Sequence, residues 1–329
     1  RGYFAYNPSR INVGSVDCQN CQDLVIVSPL YVVFKTKENL LSKYLLYYLK
    51  SNIALQLIKE KSFGSVRDNL KYKVLSEFQI NLPSYEKQQE IANILTRIDS
   101  LISLRNQQLE QLDLLIKSRF VEMFGDLANP ECIWEKRQII DCCKNNDDIK
   151  CGPFGTQLNK NEYTTSGVAV WEIVQINSNF SELPNHYVSK QKAEQLEAYS
   201  IIAGDIAMSR KGNVGKCAVF PNNLDKGIIH SDVLRIRFNF TICNSIFMLY
   251  QLHLSNYILH QIEVVSSGSI MAGINVTKLK GIEIHLPPLD LQTQFAAFVE
   301  EVERSKSTIK QSLTWLNTLK SKLMQDYFG

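Results

Sequence analysis

Residues 82–125 read LPSYEKQQEIANILTRIDSLISLRNQQLEQLDLLIKSRFVEMFG, and residues 286–329 read LPPLDLQTQFAAFVEEVERSKSTIKQSLTWLNTLKSKLMQDYFG. The two segments align without a gap at an offset of 204 positions, and each begins with Leu-Pro and ends with Phe-Gly. The alignment also matches Gln88 with Gln292. Because chance would not keep two segments in register over this length, we interpret them as copies of one structural element.

The apolar residues of each copy predict one long amphipathic helix. They recur at positions a, d and e of a heptad, which is the pattern of a helix that packs along another helix. The two stripes comprise Ile91, Ile94, Leu95, Ile98, Leu101, Ile102, Leu109, Leu112, Leu115 and Ile116 in the first copy and Phe295, Phe298, Val299, Val302, Ile309, Leu313, Leu316, Leu319 and Leu323 in the second. A helix of roughly 38 residues would be about 57 Å long, and neither stripe can stay in water. We therefore expect the two helices to pair with each other.

The first of these helices offers DNA no net attraction. Residues 85–125 contain five Lys or Arg against six Asp or Glu, which suits a scaffold. At its middle, Arg105 and Gln108 occupy a and d positions. Either they form a buried polar layer that sets register and orientation, or Arg105 extends its guanidinium to water.

The repeat continues upstream of the helices at the same offset. It aligns Leu30–Phe34 with Leu234–Phe238, and Ser62, Gly64 and Ser65 with Ser266, Gly268 and Ser269. Each unit therefore combines a mixed module with one long helix. The second unit runs from about Asp126 to Gly329, so a first unit of equal size would begin roughly 78 residues before Arg1. We expect the chain to start inside its first module.

Between the helices, short β-rich runs predict a module of the α+β class. These runs are Val168–Ile173, Ile201–Met208, Cys217–Phe220 and Val233–Phe238, and the clearest helical patterns are Lys190–Tyr199 and Ile246–Ile262. The order of these patterns is not that of βαβ units. The predicted domains are residues 1–84, the end of the first module; 85–125, the first long helix; 126–285, the second module; and 286–329, the second long helix.

The composition is that of a soluble globular protein. Of 329 residues, 45% are hydrophobic and 21% are charged, and no apolar run approaches the roughly 18 residues of a membrane span. The net charge of +3 identifies no partner, but residues 1–73 carry eleven Lys or Arg against five Asp or Glu, which favours local contacts with phosphate. The eight cysteines are scattered, which favours reduced thiols in a cytoplasmic protein.

A first glycine-containing loop is predicted at residues 152–160, Gly-Pro-Phe-Gly-Thr-Gln-Leu-Asn-Lys. Its Gln157 and Asn159 can each make two hydrogen bonds to adenine in the major groove of DNA, while Thr156 and Lys160 suit phosphate or base edges. The alternative is an ordinary surface turn.

Residues 204–216 predict a strand that runs into a basic glycine turn. The candidate contacts of this stretch are Ser209, Arg210, Lys211, Asn213 and Lys216, and its glycines let the backbone approach a phosphate closely. The turn is not a P-loop, because Cys217 stands where Ser or Thr should bind magnesium. Residues 10–14, Arg-Ile-Asn-Val-Gly, resemble the same turn, which makes Arg10 and Asn12 further candidates.

The sequence contains no recognisable pattern of an enzyme or a metal site. No G-x-G-x-x-G follows a strand, and Asn7-Pro8-Ser9 lacks the second proline and the aromatic residue of an amino-methyltransferase loop. Cys18 and Cys21 have no partner pair at zinc-finger spacing, which favours incidental thiols. His253 and His260 are seven positions apart, too far for ligands one helical turn apart, which favours two helix-face residues.

Taken together, these features resemble the DNA-specificity subunit of type I restriction-modification systems. The resemblance covers the whole chain and rests on Gly-Pro-Phe-Gly-Thr-Gln-Leu at 152–158, on Gly-Asp-Ile followed by Gly-Asn-Val-Gly-Lys at 204–216, and on the two Leu-Pro helices that end in Phe-Gly. It implies two α+β target-recognition domains, the first one partial here, each reading one half of a bipartite DNA site. It also implies that two long antiparallel helices, forming a coiled coil, hold these domains apart.

The resemblance further implies partners and cofactors. Such a subunit binds double-stranded DNA and recruits two modification subunits, the methyltransferases that bind S-adenosylmethionine and methylate adenine. It leaves open whether restriction subunits, which are ATP-dependent endonucleases, also bind. We expect S-adenosylmethionine, ATP and magnesium on those partners, and a non-catalytic chain with no cofactor or metal of its own and no membrane contact.

Two other functions stay open at this point. Residues 212–216 could hold the phosphates of a nucleotide in an enzyme, which would give ATP binding that Lys216→Ala removes. A purely structural coiled-coil adaptor would instead tolerate Arg210→Ala and Lys211→Ala without losing DNA binding.

Overall fold

Two helices of 40 residues each, Tyr85–Phe124 and Leu289–Phe328, occupy the two segments that repeat in the sequence. The computed structural model describes residues 1–21, 24–62, 69–129, 131–266 and 273–329. These residues fold into two units: unit 1 comprises residues 1–111 and 305–329, and unit 2 comprises residues 112–304. Each long helix therefore contributes one part to unit 1 and its other part to unit 2.

Unit 1 is built on an antiparallel sheet of three strands in the order β2-β1-β3. In chain order its elements are β1 (Tyr3–Tyr6), β2 (Val16–Gln19), β3 (Val32–Lys35), α1 (Ser42–Leu49), α2 (Asn52–Lys61), α3 (Tyr72–Ser76) and the start of α4 (Tyr85–Phe124), together with the end of the second long helix. Alternate residues of β1, Phe4 and Tyr6, enter a core that also contains Ile91 and Leu95 of α4 and Phe328 of the second long helix.

The described residues of unit 2 form three sheets. In chain order its elements after the end of α4 are β4 (Glu135–Gln138), β5 (Ile149–Cys151), β6 (Tyr163–Thr164), β7 (Val168–Trp171), α5 (Ile173–Asn177), β8 (His186–Val188), α6 (Lys190–Gln195), β9 (Ser200–Ile201), β10 (Ile206–Ser209), β11 (Cys217–Val219), β12 (Gly227–Ile229), β13 (Val233–Ile236), α7 (Ser245–Leu254), α8 (Asn256–Ser266), α9 (Val276–Lys280), β14 (Glu283–Leu286) and the start of α10 (Leu289–Phe328). The strand orders are β11-β10-β13-β5, β6-β8-β7-β12-β9 and β14-β4. Only β7 and β12 pair in parallel among these described strands.

The four-stranded sheet of unit 2 is covered on both faces. Ile206 and Met208 of β10 belong to the core that includes residues of α7, α8 and the long helices, whereas Ala207 between them packs with Trp171 and Ile229 of the five-stranded sheet. Successive side chains of a strand point to opposite faces of its sheet. The helices therefore lie on one side of this sheet and the five-stranded sheet lies on the other.

The long helices pair in antiparallel fashion, which confirms the predicted pairing. Within unit 1, Lys320 Nζ lies 2.6 Å from a carboxylate oxygen of Asp99, so the end of α10 contacts the start of α4. Within unit 2, the ring centroids of Phe120 and Phe295 are 5.4 Å apart, so the end of α4 contacts the start of α10. The α+β class with two repeated modules is confirmed as well.

The two modules share one arrangement of three strands. In unit 1, β1 pairs antiparallel with both β2 and β3, and in unit 2, β10 pairs antiparallel with both β11 and β13. The aligned residues Ser51 and Ser255 each stand directly before a helix, α2 and α8 respectively. The aligned residues Gly64, Ser65, Gly268 and Ser269 lie outside the described residues.

Several predicted elements are shorter than their sequence patterns indicated. The single helix predicted over 246–262 was wrong, because Ser255 adopts an extended backbone that separates α7 from α8. The run 201–208 is two strands, because Gly204, with φ of +86°, turns the chain between β9 and β10. The helix predicted over 190–199 ends at Gln195 and is followed by a 3-10 turn, and the strand predicted over 168–173 ends at Trp171, after which Ile173 begins α5.

The heptad stripe of α4 is buried near its ends and half-exposed at its middle. Ile98 and Ile116 are buried, whereas Leu101 and Leu115 are each 46% exposed, so the expectation that the whole stripe leaves water was wrong. Arg105 is half-buried and donates a hydrogen bond of 2.8 Å to Gln108 on the same helix. These two polar residues thus bond along the helix and do not form a fully buried layer.

Within the described ranges, none of the helices has the length and apolar character that a membrane span requires. The eight cysteines are all free thiols, and most of them are buried.

Candidate functional site

The two predicted loops leave two strands of the same four-stranded sheet in unit 2. We call residues 152–160 loop A, which follows β5, and residues 210–216 loop B, which joins β10 to β11. Both β5 and β10 run antiparallel to β13, which lies between them. Their carboxyl ends therefore meet at the same edge of the sheet, where the two loops begin.

Arg210 joins loop B to loop A. Its guanidinium lies over the ring of Phe154, 4.8 Å from the ring centroid. Its Nη1 also lies 3.5 Å from Cys151 Sγ and 3.5 Å from the carbonyl oxygen of Ser231. A cation over an aromatic face at such a distance is attracted by the ring. The structure thus brings the two predicted loops into contact.

The predicted contact residues of loop A lie at the surface. All four are exposed: Thr156, Gln157, Asn159 and Lys160. The Oε1 atom of Gln157 accepts hydrogen bonds from the backbone N–H of Phe154 and from the hydroxyl of Tyr199, both at 3.0 Å. These bonds fix the side chain of Gln157 and leave its amide nitrogen as the donor that can face a ligand.

A close backbone contact fixes the base of loop A. A Cβ atom at Gly152 would lie 2.2 Å from the carbonyl oxygen of His230, so no larger residue fits there without a backbone shift. The backbone N–H of Gly152 also donates to the carbonyl oxygen of Val233 at 3.2 Å. Loop A is therefore held against the segment that leads into β13.

Loop B presents two lysines with different surroundings. Lys211 Nζ forms an ion pair with Asp232 at 2.8 Å, which offsets its charge. Lys216 is exposed and forms no ion pair within the part of the chain that the structure describes. Asn213, between them, is exposed too. Lys216 is therefore the cation of loop B that is most available to an anionic ligand.

The geometry of loop B is not that of a nucleotide-phosphate loop. A P-loop leads into the N-terminus of a helix, whose backbone N–H groups bind phosphate. Loop B instead leads into a strand, β11. Its Gly212 and Gly215 have φ of +69° and +84°, a conformation that L side chains rarely adopt, so the glycines serve a tight turn between two strands.

Ser209 corrects one of the sequence predictions. Its side chain is fully buried at the end of β10, and its hydroxyl has no hydrogen-bond partner among the described residues. All four residues of β10 are buried, because both faces of this sheet are covered. A hydroxyl inside the sheet cannot contact a ligand at the surface, so Ser209 is not a surface contact residue.

Arg10 and Asn12 lie in unit 1, in the turn between β1 and β2. Both are exposed, while Ile11 between them is buried and anchors the turn. Gly14 ends the turn with φ of +82°. The turn occupies the same place between its two strands as loop B does between β10 and β11, as the sequence predicted.

A cleft beside loop A contains residues that the sequence did not indicate. We call it the Glu172 cleft; its volume is about 550 Å³, and its lining includes Leu158, Lys160, Tyr163, Glu172, His186 and His230. Glu172 follows β7 and His186 begins β8, and Oε2 of the first lies 2.9 Å from Nδ1 of the second. No sequence motif could reveal this pair, since it depends on the pairing of β7 with β8.

The described residues include no group of three or more His, Cys, Asp or Glu side chains that could hold a metal ion. Cys217 Sγ lies 3.3 Å from His253 Nε2, the type of pair that can activate a cysteine nucleophile. Burial raises the pKa of the Cys217 thiol, however, so the thiol stays protonated and unreactive. His260 lies on α8 and His253 on α7, so the two histidines do not share a helix.

Comparison with known proteins identifies relatives along most of the chain. A family model described as type I restriction modification DNA specificity domain matches residues 3–114 and 134–317. The specificity subunit of the type I restriction enzyme MjaVIII from Methanocaldococcus jannaschii is 24% identical over 319 residues, which cover 91% of this chain and 72% of the relative. The MjaIX specificity subunit of the same organism is 36% identical over 90 residues, 27% of this chain and 21% of the relative.

Solved structures show the same fold. A chain from a structure concerned with complex assembly and conformational transition of the type I restriction-modification system superposes with a TM-score of 0.61 at 18% identity, over 99% of this chain and 81% of that chain. The S subunit of a type I restriction-modification system from M. genitalium superposes with a TM-score of 0.57 at 15% identity, over 88% and 73% respectively. At these identities the likeness concerns the fold alone.

Proposed function

The chain belongs to the family of the type I restriction modification DNA specificity domain, and from this premise we propose that it binds double-stranded DNA sequence-specifically through loops A and B. The proposal rests above all on the contact between Arg210 and Phe154, which joins the two polar loops at one edge of a sheet. Loops that a rigid sheet holds in fixed positions can present side chains to a groove of DNA in a defined register.

The side chains of this interface divide into two roles. Lys160 and Lys216 are exposed cations, which suit phosphates and attract DNA of any sequence. Asn159 and Asn213 carry amides, which suit base edges because they donate and accept in defined directions. Gln157 contributes its amide nitrogen as a donor, because its Oε1 atom already accepts two hydrogen bonds within the protein. Lys211 reaches a phosphate only after it leaves Asp232, so its contribution is smaller than that of Lys216.

Because the chain belongs to this family, we also propose that its DNA site is bipartite. Unit 2 reads one half through loops A and B. Unit 1 contacts the other half through Arg10 and Asn12, which occupy the equivalent turn. The repeat of strand order between the two units supports this division of the site.

The chemistry of the complex belongs to partner subunits. Two modification subunits dock on this chain, bind S-adenosylmethionine and methylate adenine at the recognised site. Where the system has restriction subunits, these bring ATP and magnesium. This chain contributes recognition and scaffold without a catalytic group, and the buried, protonated Cys217 supports that assignment.

The test is to assemble the chain with its modification subunits and S-adenosylmethionine and to map methylated adenines in a library of DNA fragments. We expect one bipartite motif, and we expect Gln157→Ala and Asn159→Ala to change only the half that unit 2 reads. Methylation without sequence preference would contradict the proposal. ATP binding by the chain that Lys216→Ala abolishes would favour the nucleotide-binding alternative instead.

A further inference from the structure

The Glu172 cleft places a carboxylate beside loop A. The side chain of Glu172 is 20% exposed, and its Oε2 lies 2.9 Å from Nδ1 of His186. Its other oxygen, Oε1, accepts no hydrogen bond from any residue that the structure describes. Glu172 therefore keeps one carboxylate oxygen available to a donor that enters the cleft.

This carboxylate differs from its neighbours on the proposed DNA interface. Asp232 forms an ion pair with Lys211 at 2.8 Å, and Glu162 forms one with Lys192 at 2.7 Å. Glu172 has an imidazole as its partner instead of a lysine. An exposed carboxylate repels the phosphates of DNA, so a carboxylate here favours binding only where the DNA offers it a hydrogen-bond donor.

Bases offer such donors through their exocyclic amino groups. In the major groove, N4 of cytosine and N6 of adenine donate, whereas O6 of guanine and O4 of thymine accept. A carboxylate oxygen accepts from the first two and repels the last two. This repulsion adds to specificity, because discrimination depends on penalties for the wrong base as well as on contacts with the right one.

The surroundings of His186 orient the carboxylate. The ring of His186 lies against the ring of Tyr163, with centroids 4.6 Å apart. His186 also pairs through its backbone with the strand that leads to Glu172, since Val170 of β7 lies opposite it. The ring contact with Tyr163 and the strand pairing therefore restrict His186, which holds Oε2 of Glu172, while Oε1 keeps no hydrogen-bond partner among the described residues.

Building on the proposed function, we infer that Glu172 reads one base with an exocyclic amino group, cytosine or adenine, in the half-site that unit 2 binds. His186 is the positioning residue for this contact. The inference adds one specific base position to an interface that otherwise rests on loops A and B.

The experiment uses the complex with its modification subunits and a library of randomised DNA duplexes, from which bound sequences are selected and read. The variant Glu172→Gln keeps the shape of the side chain but turns one acceptor into a donor. At one position of the unit 2 half-site, we expect the preference for the amino-bearing base to fall by roughly 5- to 150-fold. The base enriched at that position in the unchanged chain distinguishes cytosine from adenine.

Two further variants separate base reading from general damage. Glu182→Gln makes the same change of charge at an exposed carboxylate outside the cleft lining, and we expect it to leave the motif unchanged. His186→Leu removes the donor to Glu172 and should weaken the preference at the same position, whereas His186→Gln restores a donor and should rescue it. A merely structural role for His186 would change affinity for all sequences alike.

The outcomes are distinct from those that test the proposed function. If the unchanged chain shows no sequence preference, the proposed function fails. If the unchanged chain selects a motif and Glu172→Gln selects the same motif with the same preferences, the inference about Glu172 fails alone. Selection of guanine or thymine at the affected position would also overturn it. Should Glu172→Gln fold poorly, Glu172→Asp, which withdraws the carboxylate by one methylene, provides the same readout.

Discussion

Gln88 and Gln292, which the repeat aligns, make the same three hydrogen bonds in their respective units. The Oε1 atom of each accepts from the backbone N–H at the start of a helix, Leu41 at 2.8 Å and Asn244 at 2.9 Å. The amide nitrogen of each donates to two backbone carbonyl oxygens, one of them on the proline of the Leu-Pro step. Both glutamines are completely buried. Each one therefore ties the first turns of a long helix to the module that precedes it.

We predict that Gln292→Ala destabilises unit 2 by about 3 kcal/mol, because the substitution leaves several buried backbone groups without partners. Urea unfolding followed by tryptophan fluorescence measures this effect, since Trp171 is buried in unit 2. Gln294→Ala is the matched control, because Gln294 is exposed on the same helix. A loss of stability no larger than that of the control would contradict the structural role of Gln292.

The repeat made the long helices predictable, and it could have corrected one error. Heptad periodicity in two aligned segments fixed the position of both helices, because a period of apolar residues follows from local geometry. The break between α7 and α8 was missed, because the apolar pattern that reaches Leu254 resumes at Tyr257 and Ile258 and conceals the polar step between them. Ser51, the equivalent of Ser255, caps α2 and was the signal that would have located the break.

The candidate site was predictable only in part, for a related physical reason. Glycine and polar residues in a short stretch predict a loop, so loops A and B were found. Their contact through Arg210 and Phe154 depends on strand order, which a single sequence does not specify. The pair of Glu172 with His186 has the same dependence, and the burial of Ser209 follows from a second sheet that packs on β10.

Ser209→Ala should leave DNA affinity unchanged and should either preserve or slightly raise the stability of unit 2. The hydroxyl of Ser209 is buried without a partner, so its removal relieves a desolvation penalty of about 1 to 3 kcal/mol, part of which the lost packing offsets. Binding of the mapped duplex and urea unfolding test both parts of this prediction. Weaker binding of the target by a variant that folds normally would show that Ser209 does contribute to DNA binding.

The stability of unit 2 should fall as the pH drops from about 7.5 toward 5.5, because of His285. This histidine is completely buried in β14, neither ring nitrogen has a hydrogen-bond partner among the described residues, and burial lowers its pKa below the usual value. The unfolded chain therefore binds a proton at a higher pH than the folded chain, so acid favours unfolding once the pH falls below about 6.5.

The variant His285→Asn should flatten this pH dependence. Asparagine does not titrate, and the repeat places Asn81 at the equivalent position of unit 1. Urea unfolding at several pH values provides the measurement, and the exposed His260 serves as the control through His260→Asn. An unchanged slope of stability against pH in His285→Asn would show that another group causes the acid sensitivity.

Lys216→Ala should weaken the binding of all duplexes by a similar factor and reduce the salt slope of the binding constant by about one, as expected for the loss of one phosphate contact. Lys211→Ala should have a smaller effect, because Asp232 already offsets the charge of Lys211. Lys226, which pairs with Glu197 at 2.8 Å, supplies the control Lys226→Ala. Equal salt slopes for Lys216→Ala and the unchanged chain would exclude Lys216 from the phosphate contacts.

The middle of each long helix can accept additional residues. In the described stretches between Ile98 and Ile116 of α4 and between Val302 and Leu316 of α10, every residue is at least partly exposed. An insertion there leaves the buried residues of both units in place. A heptad is the suitable length, because it returns the apolar stripe to the same face of the helix.

We predict that inserting one heptad into both helices, near Arg105 and Ile309, lengthens the spacer of the bipartite DNA site and leaves its half-sites unchanged. Seven residues lengthen a helix by about 10 Å, which corresponds to roughly three base pairs at 3.4 Å each. The added base pairs also rotate one half-site about the DNA axis, so some affinity is lost to twisting or bending of the DNA. The half-site sequences stay the same, because loops A and B are untouched.

Maps of methylated adenines for complexes with the normal and the lengthened chain measure the spacer. As a control, a heptad inserted into one helix alone offsets the two apolar stripes and should abolish assembly. A spacer that stays constant, or half-sites that change while the spacer does not, would show that helix length does not set the spacing.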